Sequence, residues 1–232
     1  MKIYRIPEQT RTIIFDIDGT LYTNKLYVFE QVDAQVRHFA HLQGISEKEA
    51  RRMVSGFRKS WSAAHGGKKI SLGNTFAALG IPIETSVMWR EQLLAPEHYL
   101  HPDAQLQETI QVLRQQFTLI CVTNNPVAAA RRTLAAIGAD ALLPDIIGLD
   151  TCGASKPSRK VLELAAERTA TPFSQCLSVG DRYDIDVALP LELGMGGIVV
   201  TGVEEVYKLP QLLNSSIEGR EELPAKTVFP AP

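Results

Sequence analysis

The chain has few cysteines and no pattern among them. Cys121, Cys152 and Cys176 form an odd set without Cys-x-x-Cys spacing, which argues against a disulfide framework and against a zinc site. Cys121 and Cys176 lie in or beside apolar runs and read as buried thiols. An excess of one charge is also missing. The 24 basic and 26 acidic residues leave a net charge of -2, so no global field draws the chain to nucleic acid or to an anionic membrane, and any preference for phosphate has to be local. No apolar run approaches membrane-spanning length, and the start, Met1 to Gln9, is too polar for the core of a signal peptide. The expectation is a cytoplasmic protein, monomer or homodimer, with neither nucleic acid nor membrane as a partner.

What is present is a core-building composition. With 232 residues of which 45% are hydrophobic, the chain suits one domain carrying an insertion, or two small domains. The run Thr12-Ile13-Ile14-Phe15 reads as a buried central strand. After Thr20 the alternation of strands and helices stops for roughly 80 residues. Within that block Val28, Phe29, Val32, Val36, Phe39, Ala40 and Leu42 form a helical stripe, Ser46 to Glu49 opens a second helix with a capping-box pattern, and two further helical segments fall at 72–79 and 85–94. Gly66-Gly67 breaks the block near its middle, and Pro96 and Pro102 bracket its exit.

From residue 102 the rhythm returns: helix, strand 117–122, helix 127–137, strand 145–149, helix 158–168, strand 176–179, a helix after Asp184 and a strand 197–200. Short apolar strands alternating with helices predict a parallel sheet covered on both faces. The expected architecture is an α/β fold in which a Rossmann-like core, residues 1–21 and 101–214, is interrupted by an all-helical cap, residues 22–100. Residues 215–232 carry three prolines and little apolar content and are expected to form a flexible tail.

Polar residues gather where the strands end. Asp16-Ile17-Asp18-Gly19-Thr20 places two carboxylates two residues apart at the end of the first buried run. That offers a nucleophile, a proton donor and a hard-metal ligand at one point. Thr123-Asn124-Asn125 supplies a hydroxyl and backbone amides at the start of a helix, an anion site, although paired asparagines are also ordinary turn residues. Lys156 stands in the next loop, where a lone lysine by itself reads as solvated. Gly180-Asp181 through Asp186 puts three carboxylates within six residues of a strand end, an arrangement that asks for a cation. Spacing favours Asp186 over Asp184 for the metal shell, with Asp184 free to pair with Arg182.

Taken in this order and each at a strand end, Asp16 to Thr20, Thr123-Asn124, Lys156 and Gly180-Asp181 with Asp186 resemble the four motifs of the haloacid dehalogenase superfamily of phosphohydrolases, over residues 11–202. The resemblance implies the fold of that family and a Mg2+-dependent phosphomonoesterase that acts on a small phosphorylated metabolite, a nucleotide among the options, through an aspartyl-phosphate intermediate. It implies Asp16 as nucleophile and metal ligand. Asp18 would be the general acid and base, lending its backbone carbonyl to the metal. Thr123 and Asn124 would hold the phosphoryl group, Lys156 would fix the nucleophile, Asp181 would bind Mg2+, and Asp186 would stand behind it. The cap is similar to that of the pyrimidine 5′-nucleotidase branch, with Trp61, Lys68 and Lys69 as candidates for choosing the leaving group; packing and solvation are their plainer readings. Rival readings are a phosphomutase, a non-catalytic scaffold, and a haloacid dehalogenase, against which Asp18 argues because halide loss needs no proton donor.

Overall fold

The computed structural model describes residues 1–67 and 69–218. Its core is a six-stranded sheet. β1 (Lys2–Arg5), β2 (Thr12–Phe15), β3 (Thr118–Val122), β4 (Ile146–Ile147), β5 (Cys176–Gly180) and β6 (Gly196–Val199) take the spatial order β1-β6-β5-β2-β3-β4. β2 to β6 pair in parallel, as the alternation of short apolar strands predicts. β1 is the exception: it pairs antiparallel with β6 as an edge strand. All four of its residues are exposed, so it carries no apolar pattern from which a strand could be read.

Side-chain alternation along each strand divides the core into two layers. Ile13, Phe15, Leu119, Cys121, Leu177 and Val179 face one cluster, and Ile14, Ile120, Val122 and Cys176 face the other. Each fully buried Ile, Leu or Phe contributes about 1.5–3 kcal/mol, so both faces have to be covered. The expected burial of Cys121 and Cys176 holds, and all three cysteines are free thiols.

Between β2 and β3 come α1 (Lys25–Gln43), α2 (Glu47–Ala64), α3 (Leu72–Ala78), α4 (Ile83–Leu93) and α5 (Ala104–Arg114). The first four build a core of their own from Val36, Phe39, Ala40, Ala50, Val54, Leu72, Phe76 and Trp89. Asn24, Ser46, Ser71 and Asp103 cap α1, α2, α3 and α5 through side-chain oxygens that accept from backbone N–H groups in the first turn. The apolar stripe on α1 is buried only from Val36 through Ala40. Val28 and Val32 stand 39% exposed, Phe29 57% and Leu42 54%, while Tyr27 and Gln31 point inward instead. The first half of α1 faces a cleft rather than the insert's core.

The remaining helices are α6 (Val127–Ala136), the short α7 (Leu149–Cys152), α8 (Arg159–Arg168), a π-turn at Tyr183–Val187, α9 (Ala188–Glu192), α10 (Val203–Val206) and α11 (Leu209–Glu218). The strand expected at 145–149 is reduced to Ile146–Ile147, since Gly148 N donates not to a sheet partner but to the Thr151 hydroxyl at 2.9 Å, opening α7. α11 extends four residues into the expected tail; residues 219–232 lie outside those described. Among the described residues no helix is long and apolar enough to cross a membrane.

Candidate active site

The chain leaves β2 toward β3 and β4 on one side and returns to β5 and β6 on the other. The carboxyl ends of β2 and β5 therefore flank a topological switch point, where parallel sheets open a crevice for ligands. Asp16 N donates to Val179 O at 2.9 Å and prolongs the ladder by one residue, and the turn then closes as Thr20 N and Leu21 N donate to Ile17 O. Gly19 serves this turn twice. Its φ is +78°, and a Cβ there would lie 2.9 Å from Asp181 Oδ2.

Asn124 brings the third motif to the first. Lys156 N donates to Asn124 Oδ1 at 2.6 Å and Asn124 Nδ2 donates to Lys156 O at 3.0 Å. The Asn124 amide thus clasps the lysine's backbone and is not turned to the site. The result is a buried Lys156 whose Nζ donates to Asp16 Oδ1 at 2.6 Å and to Asp186 Oδ1 at 2.7 Å. The lone loop lysine is therefore neither alone nor solvated. Asp186 is held in turn by Arg182 N, which donates to its Oδ2 at 3.0 Å, and Gly180 leaves the space it needs, since a Cβ there would sit 2.4 Å from the Asp186 Cβ.

One ammonium stands among Asp16, Asp181 and Asp186, whose carboxylate oxygens lie within 4.8 Å of one another. Burial pushes the Asp16 carboxyl up, Lys156 opposes it, and Asp186 and Asp18 add to the rise. Burial alone would lower the Lys156 ammonium, but Asp16 and Asp186 outweigh it and hold it above its ordinary range. Asp181 is raised by burial against the pull of Arg182. Its Oδ1 is buried and accepts no hydrogen bond; the approach of Arg182 Nε to 3.4 Å balances charge without making one. An orphaned carboxylate oxygen beside two further carboxylates is the setting of a hard cation.

Asp18 faces the other way and is surrounded by donors. Its Oδ1 accepts from Tyr22 Oη and Gln31 Nε2, each at 2.7 Å. Its Oδ2 accepts from Asn125 Nδ2 at 2.8 Å and Thr123 Oγ1 at 3.4 Å. Gln31 also receives Asn125 Nδ2 on its Oε1 at 2.7 Å, so one glutamine of the insert ties two motifs together. Gln31 and Tyr22 escaped the sequence reading, and Asn125, read there with Thr123 and Asn124 as part of an anion site, turns its side chain to Asp18 instead. A glutamine three residues from Val28 on the helix's cleft side was the available signal, and so was Tyr22 at i+4 from Asp18.

The specificity candidates fall differently. Trp61 stacks on His65 with centroids 3.8 Å apart and planes 7° from parallel, away from the cleft lining. Lys69 Nζ pairs with Asp184 Oδ2 at 2.8 Å, and both side chains are at least half exposed. Asp184 therefore pairs with Lys69 across the chain rather than with Arg182. Its exposure keeps it apart from the carboxylate cluster of Asp16, Asp181 and Asp186. Lys68 lies outside the described residues. Beside Asp16, Asp18 and Asp181, a cleft of about 250 Å3 is lined from the insert by Val28, Gln31, Val32, Arg58, Leu72 and Arg90. Arg58 and Arg90 sit on helices whose charged residues read as solvated faces, which hid them.

A sequence model of haloacid dehalogenase-like hydrolases matches residues 10–192. The chain belongs to that family. It is 28% identical over 176 residues to a phosphoglycolate phosphatase of Xanthomonas campestris pv. campestris, covering 74% of each chain. The fold resembles the crystal structure of a phosphatase of this family from Thermococcus onnurineus, at 22% identity and a TM-score of 0.61, over 88% of this chain and 98% of that one. It also resembles the magnesium-bound putative hydrolase YfnB of Bacillus subtilis, at 18% identity and a TM-score of 0.57, over 87% and 99% of the two chains. With family and relatives together, the chain is a phosphatase-type hydrolase of this fold.

Proposed function

We propose that this protein is a Mg2+-dependent phosphomonoesterase that cleaves a small phosphorylated metabolite through an aspartyl-phosphate formed on Asp16. The observation that carries the reading is the buried Lys156 ammonium seated between Asp16 and Asp186, with the orphaned Asp181 oxygen beside them. Asp16 and Asp181 would hold the ion together with the Asp18 backbone carbonyl, and Asp186 would stand behind them as the partner of Lys156. An all-oxygen donor set suits Mg2+. Bound there, the ion would neutralise charge on the phosphoryl oxygens.

The chain's own groups do the rest. A carboxylate needs no activating base to attack phosphorus. Lys156 keeps Asp16 aimed by its hydrogen bond and offsets charge that builds in the transition state. The Thr123 hydroxyl and the Asn124 backbone N–H, at the start of α6, are the donors for the transferring group, since the Asn124 amide is committed to Lys156. Asp18 protonates the leaving oxygen and then takes a proton from the attacking water. Residues 22–100 act as a cap that closes over Asp16 and excludes water.

Chelation tests the metal. EDTA is expected to abolish turnover of p-nitrophenyl phosphate and Mg2+ to restore it, while Ca2+, with longer bonds and a looser shell, restores little. Full activity after exhaustive chelation would count against the roles of Asp16 and Asp181. A second expectation concerns Gln31. Gln31→Leu removes a neutral donor from Asp18 and a partner from Asn125, so kcat should fall about 10-fold with KM nearly unchanged, within the range for hydrogen bonds to charged groups. A variant that loses stability but keeps kcat would make Gln31 a packing residue only.

A further inference from the structure

The insert brings into the cleft two guanidinium groups that the phosphoryl chemistry does not call for. Arg58 on α2 is half-buried at the cleft wall and makes no ion pair or hydrogen bond among the described residues. Other arginines of this chain behave differently: Arg37 and Arg51 pair with Asp33, Arg131 with Asp140, Arg132 with Glu97 and Arg159 with Glu163. The charge felt by Arg58 is the like charge of Arg182, which together with burial pushes it below its ordinary range. A partly desolvated cation facing a like charge is unfavourable unless an anion joins it.

Arg90 on α4 is the second. Its Nη1 donates to Asn124 O at 2.9 Å and to Asn125 Oδ1 at 3.0 Å, which anchors the head group over the second motif. Its Nε and Nη2 carry no hydrogen bond among the described residues, and both arginines line the same cleft. Val28, Val32 and Leu72 give the same cleft an apolar wall. The cleft, about 250 Å3, falls below the roughly 300–1,000 Å3 of sites for drug-sized ligands, so its occupant is compact.

We infer that Arg58 and Arg90 form a subsite for a second anionic group on the substrate, making the substrate a short phosphomonoester whose alcohol portion carries a carboxylate or a second phosphate. This rests on the phosphomonoesterase reading above and narrows it. Guanidinium groups with unspent donors match the planar oxygen pair of a carboxylate and the oxygens of a phosphate alike. A nucleoside 5′-monophosphate has a bulky neutral leaving group and offers this subsite nothing.

The test compares four esters: 2-phosphoglycolate, a three-carbon bisphosphate, ethyl phosphate and a nucleoside 5′-monophosphate. In the wild-type protein with Mg2+, kcat/KM for at least one of the doubly anionic esters should exceed that for ethyl phosphate by roughly 10- to 100-fold, the scale of charge-assisted hydrogen bonds. The ratio of the two anionic esters tells carboxylate from phosphate. In Arg58→Met, which keeps the apolar stem, the preference should collapse to within about 3-fold, and Arg58→Lys should recover part of it. Arg90→Gln gives a second, independent variant with the same expected direction. A wild-type protein that treats charged and neutral esters alike, or a preference that survives both variants, overturns the subsite. Calorimetric binding of 2-phosphoglycolate, the bisphosphate and ethyl phosphate to the Asp16→Asn protein reads the subsite without turnover. Tighter binding of a doubly anionic ester there, lost on adding Arg58→Met, supports it; equal binding of all three contradicts it. Should such binding occur while the wild-type protein hydrolyses none of the esters, the phosphomonoesterase reading falls and the subsite stands.

Discussion

Asp16→Asn is expected to fold normally and to lose essentially all turnover, by roughly 10⁴-fold or more, the scale seen when a covalent nucleophile is removed. The amide is isosteric with the carboxylate, so the end of β2 keeps its shape, and the Asn oxygen can still accept from Lys156 Nζ. Lys156 also retains Asp186 at 2.7 Å, so no buried charge is left without a counter-charge. What disappears is the reacting oxygen's charge and a metal ligand. The variant should therefore also gain less thermal stability than wild type from added Mg2+, because a ligand stabilises the folded state only in proportion to its affinity for it. Phosphatase assays and melting curves in a Mg2+ titration check both halves. An Asp16→Asn protein that turns over substrate at the wild-type rate would sink the covalent mechanism. One that gains as much stability from Mg2+ as wild type would remove Asp16 from the metal site.

How much of this was legible beforehand depended on whether each feature left a periodic or positional trace. β2 and β5 were readable because strands buried on both faces are written as unbroken apolar runs, and the carboxylates at Asp16 and Asp181 follow them directly. The helices of the insert were readable from their apolar periodicity, from stop signals at Gly66-Gly67 and Pro96 and from the capping residue Ser46. β1 was not, because an exposed edge strand is held by backbone hydrogen bonds to β6 and needs no apolar alternation. On α1 a single apolar stripe covers two different surfaces, the insert's core from Val36 onward and the cleft wall at Val28 and Val32, and period alone cannot tell which neighbour a face meets.

The site shows the same division. Lys156 was found by its place after a strand, yet its partner Asp186 became certain only once the π-turn at Tyr183–Val187 was seen to turn that carboxylate inward and Asp184 outward to Lys69. Arg58 and Arg90 had no trace at all. On a helix an arginine facing a cleft has the same spacing as one facing water, and only the placement of both side chains in the cleft beside Asp16 and Asp18 separates the two. For the same reason Trp61, the most conspicuous side chain of the insert in the sequence, was a weaker guide than Gln31, whose amide the fold aims at Asp18.

Lys156→Met should expose how far the buried cluster depends on one positive charge. The substitution keeps the length of the apolar stem but removes the one ammonium bonded to both Asp16 and Asp186, leaving these buried carboxylates only the field of the Arg182 guanidinium, which is bonded to neither. Removing one partner from a buried ion pair typically destabilises by about 3–5 kcal/mol, which for a chain of this size lowers Tm by roughly 6–20 °C. Turnover should fall by about 10² to 10³, the loss expected for one preorganised group that stabilises transition-state charge. The pH dependence separates this electrostatic account from simple loss of packing. Burial already raises the Asp16 carboxyl in the folded wild type, and Lys156 is the group that holds the rise down. Without it the folded-state pKa climbs further above the unfolded value. A carboxyl shifted that way contributes stability that is fully present below its unfolded pKa and is lost as pH rises through its folded pKa. The deficit of Lys156→Met relative to wild type should therefore be largest at about pH 7.5 and shrink at about pH 5, where the folded carboxyls can bind a proton. Denaturant midpoints for both proteins at the two pH values, in metal-free buffer, measure it. A deficit of the same size at both would show that Lys156 holds the fold by packing, and that the carboxylates around it do not need its charge.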